Sequence, residues 1–413
     1  MKRFFCILLA LLAVIFTGCT PTPPAEGDPP MTENIDLPED FIFGMDASCV
    51  PALEKSGVKY YNFEGVEQDV FKTLSENGID SIRVRVWNHP YDENGNGYGG
   101  GNCDIQNALA IGKRATQYGM KLLVDFHYSD FWADPGKQMP PKAWQGMAVE
   151  EKSQALYLYT KESLQLLKDN GVDVVMVQVG NETNGKLCGE TDWENICTLM
   201  ASGSKAVREI FPDAQVAVHF TNPEKAGTYR LYAQHLDAYA VDYDVFASSY
   251  YPYWHGTLEN LSKVLTEISQ GYGKKVMIAE TSYAYTPENS DFWNNTISSD
   301  SQVAKPFEYS IAGQTSFLRE LTKTAAEIPG CIGIFYWEGT WISVGQNSKE
   351  ENSKKWEQYG SGWASSYSAE YDPADAGQWY GGCAVENQAL FDKNGKPLAT
   401  LEIFSALEGK QPQ

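Results

Sequence analysis

The chain has 413 residues, 43% of them hydrophobic, which is enough to bury the core of one large domain or two medium ones. Its 54 acidic and 32 basic residues give a formal net charge of −22. Binding to phosphates requires a basic surface, so this balance argues against a nucleic-acid partner. It favours a protein whose ligand is neutral.

The first residues have the pattern of an export signal. Lys2 and Arg3 precede an apolar run over residues 4–16, which is too short to span a membrane as a mature helix. The following Phe-Thr-Gly-Cys resembles a bacterial lipoprotein signal, in which Cys19 becomes the lipidated N-terminus; an ordinary cleaved signal is the alternative. We therefore predict a signal peptide over 1–18, a Pro-rich tether over 19–36 and a globular domain over 37–413. The protein would be exported and held by lipid on a bacterial membrane, at the cell surface or the periplasmic face.

Eight apolar runs with strand character alternate with helix-like stretches, most of which end in Gly. Strand alternating with helix implies parallel βαβ units, and eight strands are the number that closes a (β/α)8 TIM barrel. An open doubly wound sheet is the alternative, but no Gly-rich phosphate loop follows the first run. The eight runs cover 41–48, 81–87, 121–129, 174–182, 215–220, 245–251, 275–283 and 331–337.

Alternation within the runs predicts which side chains point into the barrel, because successive residues of a strand face opposite sides. In this fold, chemistry takes place at the carboxyl ends of the strands. We expect these inward sets in the first, second, third, fourth, sixth and seventh strands: Gly44, Asp46 and Ser48; Arg83, Arg85 and Trp87; Leu123, Asp125 and His127; Gln178, Gly180 and Glu182; Phe246, Ser248 and Tyr250; and Val276, Ile278 and Glu280.

Two of these buried-looking strands end in an inward glutamate. Glu182 follows the fourth strand and Glu280 follows the seventh, and these two strands can face each other across the barrel mouth. Two facing carboxyl groups are the minimum machinery for glycoside hydrolysis, one as a protonated acid and one as an ionised nucleophile. Either glutamate alone could simply cap a strand or pair with an arginine. Both together, beside Asn181 and inward Arg and His residues, favour catalysis.

The motifs then carry a family resemblance, which covers nearly all of the chain from Phe41 onwards. An Asn-Glu after the fourth strand and a Glu after the seventh resemble the large clan of (β/α)8 retaining glycosidases. More closely, the chain resembles the endo-β-1,4-galactanases of glycoside hydrolase family 53. The motifs that carry this resemblance are GMDAS, SIRVRVWNHP, VDFHYSDFWADPGKQ, VQVGNETNG, SSYYPYWHG, AETSYAY, FYWEGTW and GGCAVENQALFD.

The resemblance implies a role for each matching residue. Glu182 would be the acid/base and Glu280 the nucleophile, with Arg85 lying against Glu280 to keep it ionised. Asn181 would bond the 2-hydroxyl of the sugar in subsite −1, and Trp337 would lie under that sugar. The remaining candidates are His127 and Tyr250, which would shape subsite −1 with Tyr251 as a rival, and Trp87, Trp254 and Trp363, which could serve other subsites or simply pack.

Calcium is a point of departure from the resemblance. Bacterial relatives often hold a calcium ion with D-G-D-G-H-G-N after the seventh strand and S-A-V-D near the end. Here Trp293 and Cys383 replace the His and the Ser. Calcium requires about six oxygen ligands, so we expect no metal. A weakened site is the alternative, and its ligands would be Asn289, Asp291, Asn295 and Glu386.

These inferences together predict an exported, lipid-anchored endo-β-1,4-galactanase. It would cut galactan or arabinogalactan side chains of pectin by double displacement, as a monomer and without an organic cofactor. Two alternatives remain open at this point. The chain could be a retaining barrel enzyme that acts on another β-1,4-glycan, such as mannan or glucan, or a catalytically inactive glycan-binding lipoprotein.

Overall fold

The fold is a closed barrel of eight parallel strands, as the sequence predicts. In the computed structural model, residues 35–345 and 348–409 are described, so the predicted signal peptide and almost all of the predicted tether lie outside the described residues. The strands pair in chain order, and the last closes onto the first. They are β1 Ile42–Asp46, β2 Ser81–Val86, β3 Lys121–Phe126, β4 Val174–Val179, β5 Gln215–Phe220, β6 Val245–Ser249, β7 Lys275–Thr281 and β8 Cys331–Tyr336.

Helices connect the strands, and several begin at a side chain that accepts from the first free backbone N–H groups. Asp104, Asp192 and Thr257 cap three of them in this way. The helices are α1 Val50–Lys55, α2 Val70–Glu76, α3 Ile105–Gln117, α4 Val149–Asp169, α5 Trp193–Ile210, α6 Thr228–Ala238, α7 Leu258–Tyr272, α8 Ile311–Glu327, α9 Lys349–Tyr359, α10 Ala376–Trp379 and α11 Ile403–Leu407. Within the described part of the chain, none of them is long and apolar enough to cross a membrane.

The barrel interior is filled by side chains that alternate with those packed under the helices. Gly44 leaves room for the Phe335 ring, since a Cβ at Gly44 would lie 2.2 Å from that ring. The interior apolar cluster consists of Leu123, Met176, Ala217, Val245, Ala247, Met277, Ala279 and Phe335. The predicted orientation of β2 and β3 is therefore confirmed.

In β6 and β7 the predicted orientation is wrong for most residues. Val245 and Ala247 face the interior, whereas Phe246 packs under the helices. In β7, Met277 and Ala279 face inward, and Glu280 does so as well although it directly follows Ala279. A register shift between the two strands lies at Ser248 and Ser249, opposite Ile278 and Glu280. The extra residue lies in β7 and explains why Glu280 faces inward together with Ala279. In β6 and the first part of β7 both faces of the strand are apolar, so the sequence pattern does not show which face is inward, and the predicted parity is the wrong one.

Six cysteines of the globular part are buried free thiols, as the spacing of the cysteines suggests. Cys49 is the one nearest to the carboxyl ends of β2, where its Sγ lies 3.0 Å from the Arg85 guanidinium. Disulfides therefore do not stabilise the described barrel, which is held together by its packed core.

Candidate active site

A pocket at the carboxyl ends of the strands gathers most of the predicted site residues. It is lined by seven of them: Arg85, His127, Asn181, Glu182, Trp254, Glu280 and Trp337. Arg83, predicted only as an inward residue, and Tyr251, predicted as the rival of Tyr250, also line it. Residues that the sequence reasoning did not single out complete the lining, above all Trp132, Asp134, Thr221, Asn222 and His255. Both glutamates therefore face the same space.

Glu182 is turned into the pocket by a left-handed turn after β4. Gly180 has a φ of 102° and Glu182 a φ of 45°, a region that non-glycine residues rarely occupy outside functional sites. The hydroxyl of Ser249 donates to Glu182 Oε1 at 2.6 Å. Burial, followed by the charge of Glu280, raises the pKa of Glu182 to about 8. At neutral pH this carboxyl group is therefore mostly protonated.

Glu280 has the opposite surroundings, because a cation and a phenol contact it directly. Arg83 Nη1 lies 2.9 Å from Glu280 Oε1, and the Tyr251 hydroxyl donates to Oε2 at 3.0 Å. Burial raises the pKa of Glu280, but Arg83 and Tyr251 both oppose that rise, and Glu182 has no such cation. When the two carboxyl groups share one proton, the proton therefore resides on Glu182.

The prediction that Arg85 lies against Glu280 is wrong. Arg85 forms an ion pair with Glu338, which follows β8, and Arg83 holds Glu280 instead. Both arginines face inward, as predicted, but they lie in different layers of the barrel. Which layer Glu280 reaches depends on the tilt and stagger of β2 relative to β7, and alternation alone does not give that.

The prediction for Tyr250 is also wrong. Its hydroxyl donates to the Gly256 carbonyl at 3.0 Å, away from the nucleophile candidate, and Tyr251 contacts Glu280. Parity favoured Tyr250 because it counted from Phe246 as an inward residue. Phe246 instead packs under the helices, whereas Val245 and Ala247 face inward, so alternation along β6 leads to Tyr251.

His127 and Asn181 are held rigidly beside the two glutamates. Trp87 Nε1 and the Ala133 amide both donate to His127 Nδ1, so Nε2 carries the hydrogen and donates to Asp125 at 3.1 Å. Asn181 Oδ1 accepts from Arg83 at 2.9 Å, and Nδ2 donates to the Ala133 carbonyl at 2.9 Å. Preformed hydrogen bonds of this kind fix side chains before a ligand arrives.

Comparisons with known proteins agree with this geometry. The family model for glycosyl hydrolase family 53 matches residues 42–404. The chain belongs to this family. It is 57% identical over 372 residues to the endo-β-1,4-galactanase of Bacillus subtilis, a match that covers 90% of this chain and 86% of the relative.

Two further relatives support the assignment of this glycosidase. This chain is 33% identical to the arabinogalactan endo-β-1,4-galactanase of Cellvibrio japonicus, and the match covers 85% of this chain and 91% of the relative. The solved family 53 catalytic domain of Ignisphaera aggregans superposes with a TM-score of 0.81 at 38% identity, and the match covers 91% of this chain and 98% of that one. The chain is therefore a glycoside hydrolase with a TIM-barrel fold.

The aromatic candidates of the glycosidase fall into two groups. Trp337 and Trp254 line the pocket, and Trp254 is 44% exposed. Trp87 is fully buried, so the prediction that it serves as a sugar platform is wrong, and its indole supports His127 instead. Trp363 is not among the residues that line the pocket, although its carbonyl accepts from the indole of Trp132, which does line it.

Sequence reasoning missed four polar residues of the site, and signals existed for three of them. Arg83 shares the inward face with Arg85. His219 and Ser249 follow from alternation in β5 and β6, since Ala217 and Ala247, two residues earlier, face inward. Glu338 had no such signal, because it has a φ of 48° in the turn after β8.

The four calcium candidates come together, but they do not make a full calcium ligand set. Asp291 Oδ1 and Oδ2 accept from the backbone amides of Trp293 and Cys383, and Glu386 Oε1 accepts from the Ser290 amide. Buried oxygens without a partner are Glu386 Oε2, Asn295 Oδ1 and Ser290 Oγ. Among the described residues, no group of three or more His, Cys, Asp or Glu side chains is placed to hold a metal.

Packing and protonation can replace an ion at this place. A Cβ at Gly381 would lie 2.3 Å from the Trp293 ring, so this indole fills the space beside the loop. Burial raises the pKa of Asp291 to about 6, and burial together with Asp291 raises that of Glu386 to about 8. One proton on Glu386 therefore removes most of the charge repulsion at neutral pH.

We expect EDTA to change neither the melting temperature nor the activity appreciably, because the Trp293 ring packs against Gly381 and can order the loop after β7 without an ion. A bound ion would stabilise the folded state by mass action, so its removal would lower the melting temperature. Calorimetry at constant pH with and without EDTA is the measurement. A drop of several degrees that calcium restores and magnesium does not would contradict this expectation.

Proposed function

We propose that this glycosidase is an endo-β-1,4-galactanase that hydrolyses the galactan or type I arabinogalactan side chains of pectin. The observation that carries the proposal is the unequal pair of carboxyl groups in one pocket, Glu182 without a cation and Glu280 against Arg83. Retaining glycosidases need this difference, because one carboxyl group must begin the cycle protonated and the other ionised.

In the first step, Glu280 attacks the anomeric carbon while Glu182 gives its proton to the departing glycosidic oxygen. The bond to the leaving sugar breaks as the bond to the Glu280 oxygen forms. Arg83 and Tyr251 hold Glu280 ionised and oriented for this attack. Once Glu280 becomes an ester, its charge no longer disfavours ionisation of Glu182.

In the second step, Glu182 is the ionised base. It takes a proton from water, whose oxygen attacks the anomeric carbon and releases Glu280 as a carboxylate. Two successive inversions leave the sugar in its original β configuration. The proposed cycle uses only these side chains and requires no organic cofactor.

Galactan as the substrate is supported by the relatives. The relative from Bacillus subtilis is named an endo-β-1,4-galactanase and the one from Cellvibrio japonicus an arabinogalactan endo-β-1,4-galactanase. The acidic balance of the chain is compatible with a neutral polysaccharide. Trp254 and Trp337 offer aromatic faces to the apolar sides of sugar rings in the pocket.

We expect soluble β-1,4-galactan to lose viscosity before much free galactose appears, since an endo-acting enzyme cuts inside the chain. Reducing-sugar release and viscometry on galactan, arabinogalactan, mannan and cellulose are the measurements. Faster hydrolysis of mannan or cellulose would indicate another glycan as the substrate. No release from any of these polysaccharides would indicate a glycan-binding protein without activity.

We further propose that the enzyme is exported and anchored by a lipid on Cys19, and that it is a monomer. The support is the basic and apolar start of the sequence, followed by Phe-Thr-Gly-Cys and a Pro-rich segment. Cys19→Ala should move the enzyme from the membrane fraction to the soluble fraction of its host. Light scattering of the mature soluble domain should give the mass of one chain.

A further inference from the structure

Behind Glu182 lies a second, fully buried polar pair formed by Ser249 and His219. The Ser249 hydroxyl is 2.6 Å from Glu182 Oε1 and 2.9 Å from His219 Nε2. Both side chains are completely shielded from solvent. A hydroxyl group has a single hydrogen, so Ser249 can donate to only one of these two neighbours at a time.

The hydrogen-bond network fixes which nitrogen of His219 carries a hydrogen. Asn181 presents its oxygen, because that oxygen accepts from Arg83 while Nδ2 donates to Ala133. This oxygen lies 2.9 Å from His219 Nδ1, so Nδ1 must be the donor. The Gln178 amide is also 3.1 Å from Nδ1, but its two hydrogens have acceptors in Asp125 at 2.6 Å and the Gly180 carbonyl at 3.1 Å. The Glu182 backbone amide faces Nδ1 at 3.4 Å, which is the longest of these contacts, so the Asn181 oxygen at 2.9 Å decides the tautomer.

A neutral His219 with its hydrogen on Nδ1 leaves Nε2 as an acceptor that faces Ser249. Burial, and then Arg83, lower the pKa of His219 well below its usual value, so this ring stays neutral. Other charged or titratable groups act on the two ends of the pair. Asp125 and His127 act on His219. Glu280 and Asp134 act on Glu182, and Tyr229 and Tyr251 also lie close to Glu182.

We propose that Ser249, backed by His219, is a positioning residue that turns its hydroxyl hydrogen between Glu182 and His219 as Glu182 changes charge. When Glu182 is ionised, Ser249 donates to Oε1. When Glu182 holds its proton on Oε1, Ser249 accepts that hydrogen and donates its own to His219 Nε2. This inference rests on the proposed function, since it concerns the group that is protonated in one step and ionised in the next.

The switch requires no net transfer of protons within the pair. Ser249 keeps its hydrogen throughout and only rotates, and His219 keeps its hydrogen on Nδ1. The proton that Glu182 loses goes to the glycosidic oxygen, and the one it regains comes from water. Ser249 thus offers Oε1 of Glu182 a partner whether or not that oxygen carries the proton, which a group that only donates could not do.

Ser249→Ala tests the proposal through the pH dependence of kcat/KM on soluble β-1,4-galactan. The hydrogen bond that Ser249 donates to ionised Glu182 is charge-assisted and therefore stronger than the one it accepts from protonated Glu182. Loss of the Ser249 hydroxyl should therefore raise the pKa of Glu182. We expect the basic limb of the profile to move up by about one pH unit and kcat at the optimum to fall about tenfold. The acidic limb, which reports Glu280, should not move.

Ser248→Ala is the matched control, because the Ser248 hydroxyl lies 2.6 Å from the Tyr229 hydroxyl and 3.0 Å from the Ser249 carbonyl, contacts neither Glu182 nor His219, and does not line the pocket. We expect it to keep the wild-type pH profile. Circular dichroism and melting temperature establish that both variants fold. A folded Ser249→Ala variant whose basic limb stays in place would overturn the proposal and leave Ser249 with a structural role only.

The tautomer of His219 gives a second measurement that does not depend on any variant of Ser249. The protein has five histidines, so ¹⁵N spectra of histidine-labelled enzyme are simple, and His219→Asn assigns the signal. We expect neutral His219 with hydrogen on Nδ1 throughout the pH range in which the enzyme is active, and a change of the Nε2 shift as Glu182 titrates. Hydrogen on Nε2 would overturn the proposal. If instead Glu182→Gln hydrolysed galactan normally, the proposed function itself would fail.

Discussion

Glu182→Gln and Glu280→Gln should each lower kcat on galactan by several orders of magnitude while the fold remains intact. A positioned general acid contributes about 10²–10⁴ in rate, and loss of the nucleophile removes the covalent route altogether. Glutamine keeps the size and most hydrogen bonds of glutamate, so the barrel should tolerate both changes. Initial rates on galactan and melting curves are the measurements.

Glu386→Gln is the control for these two variants. Glu386 is a buried glutamate whose pKa is also raised to about 8, but it lies outside the pocket. Its replacement should leave kcat unchanged, which would show that burial of a carboxyl group is not the cause of the losses. Near-normal hydrolysis by either Glu182→Gln or Glu280→Gln would contradict the catalytic assignment.

Azide distinguishes the two glutamates from each other. In Glu280→Ala a small anion can enter the space of the missing carboxylate and attack the anomeric carbon from that face. Added azide should therefore restore part of the activity and yield an α-configured galactosyl azide, detected by NMR. An α-configured azide from Glu182→Ala and a β-configured azide from Glu280→Ala would mean that the two roles are exchanged, because azide gives the β product only when it replaces the attacking water at the covalent intermediate.

The sequence predicts the barrel and the glutamate pair because both depend on local patterns. Eight apolar runs separated by helix-like stretches give the strands, and Glu182 and Glu280 each follow directly on such a run. The orientation of Arg83, Arg85 and Asp125 follows from alternation in regular strands. Where a strand is regular, the position of a residue along it is enough to predict which side it faces.

What the sequence does not predict depends on contacts between strands. The pairing of Glu280 with Arg83 rather than Arg85 follows from the stagger of the barrel, which relates residues nearly two hundred positions apart. The exchange of Tyr250 for Tyr251 follows from which face of β6 turns inward, because Val245 and Ala247 rather than Phe246 pack inside the barrel. Neither feature leaves a mark in the local pattern of apolar and polar residues.

The two arginines belong to one buried chain of alternating charges. Asp46 lies 2.9 Å from Arg83 and 3.6 Å from Arg85, so it joins the pair that holds Glu280 to the pair formed with Glu338. Arg83 also contacts Asp125 at 2.8 Å. Removal of one member would leave an unpaired buried charge, which typically costs about 3–5 kcal/mol. Arginine variants therefore test folding as much as catalysis.

Tyr251 and Tyr250 provide a sharper test of how Glu280 is held, because the two residues are adjacent and differ in their contacts. Tyr251→Phe removes only the hydroxyl that donates to Glu280 Oε2. A hydrogen bond to a charged group is worth about 1.5–3 kcal/mol, so we expect kcat to fall by about 10- to 100-fold. Tyr250→Phe removes a bond to the Gly256 carbonyl and should change kcat by less than about twofold.

The pH profile makes this comparison specific. The Tyr251 hydroxyl stabilises the ionised form of Glu280 and so lowers its pKa against the effect of burial. In Tyr251→Phe the pKa of Glu280 should rise, and the acidic limb of the kcat/KM profile should move to higher pH while the basic limb, set by Glu182, stays in place. Tyr250→Phe should leave both limbs unchanged, since Tyr250 contacts neither carboxyl group. A displaced acidic limb in Tyr250→Phe with a wild-type profile in Tyr251→Phe would reinstate Tyr250 as the residue that orients Glu280, and would mean that Phe246 rather than Val245 and Ala247 lies on the inward face of β6.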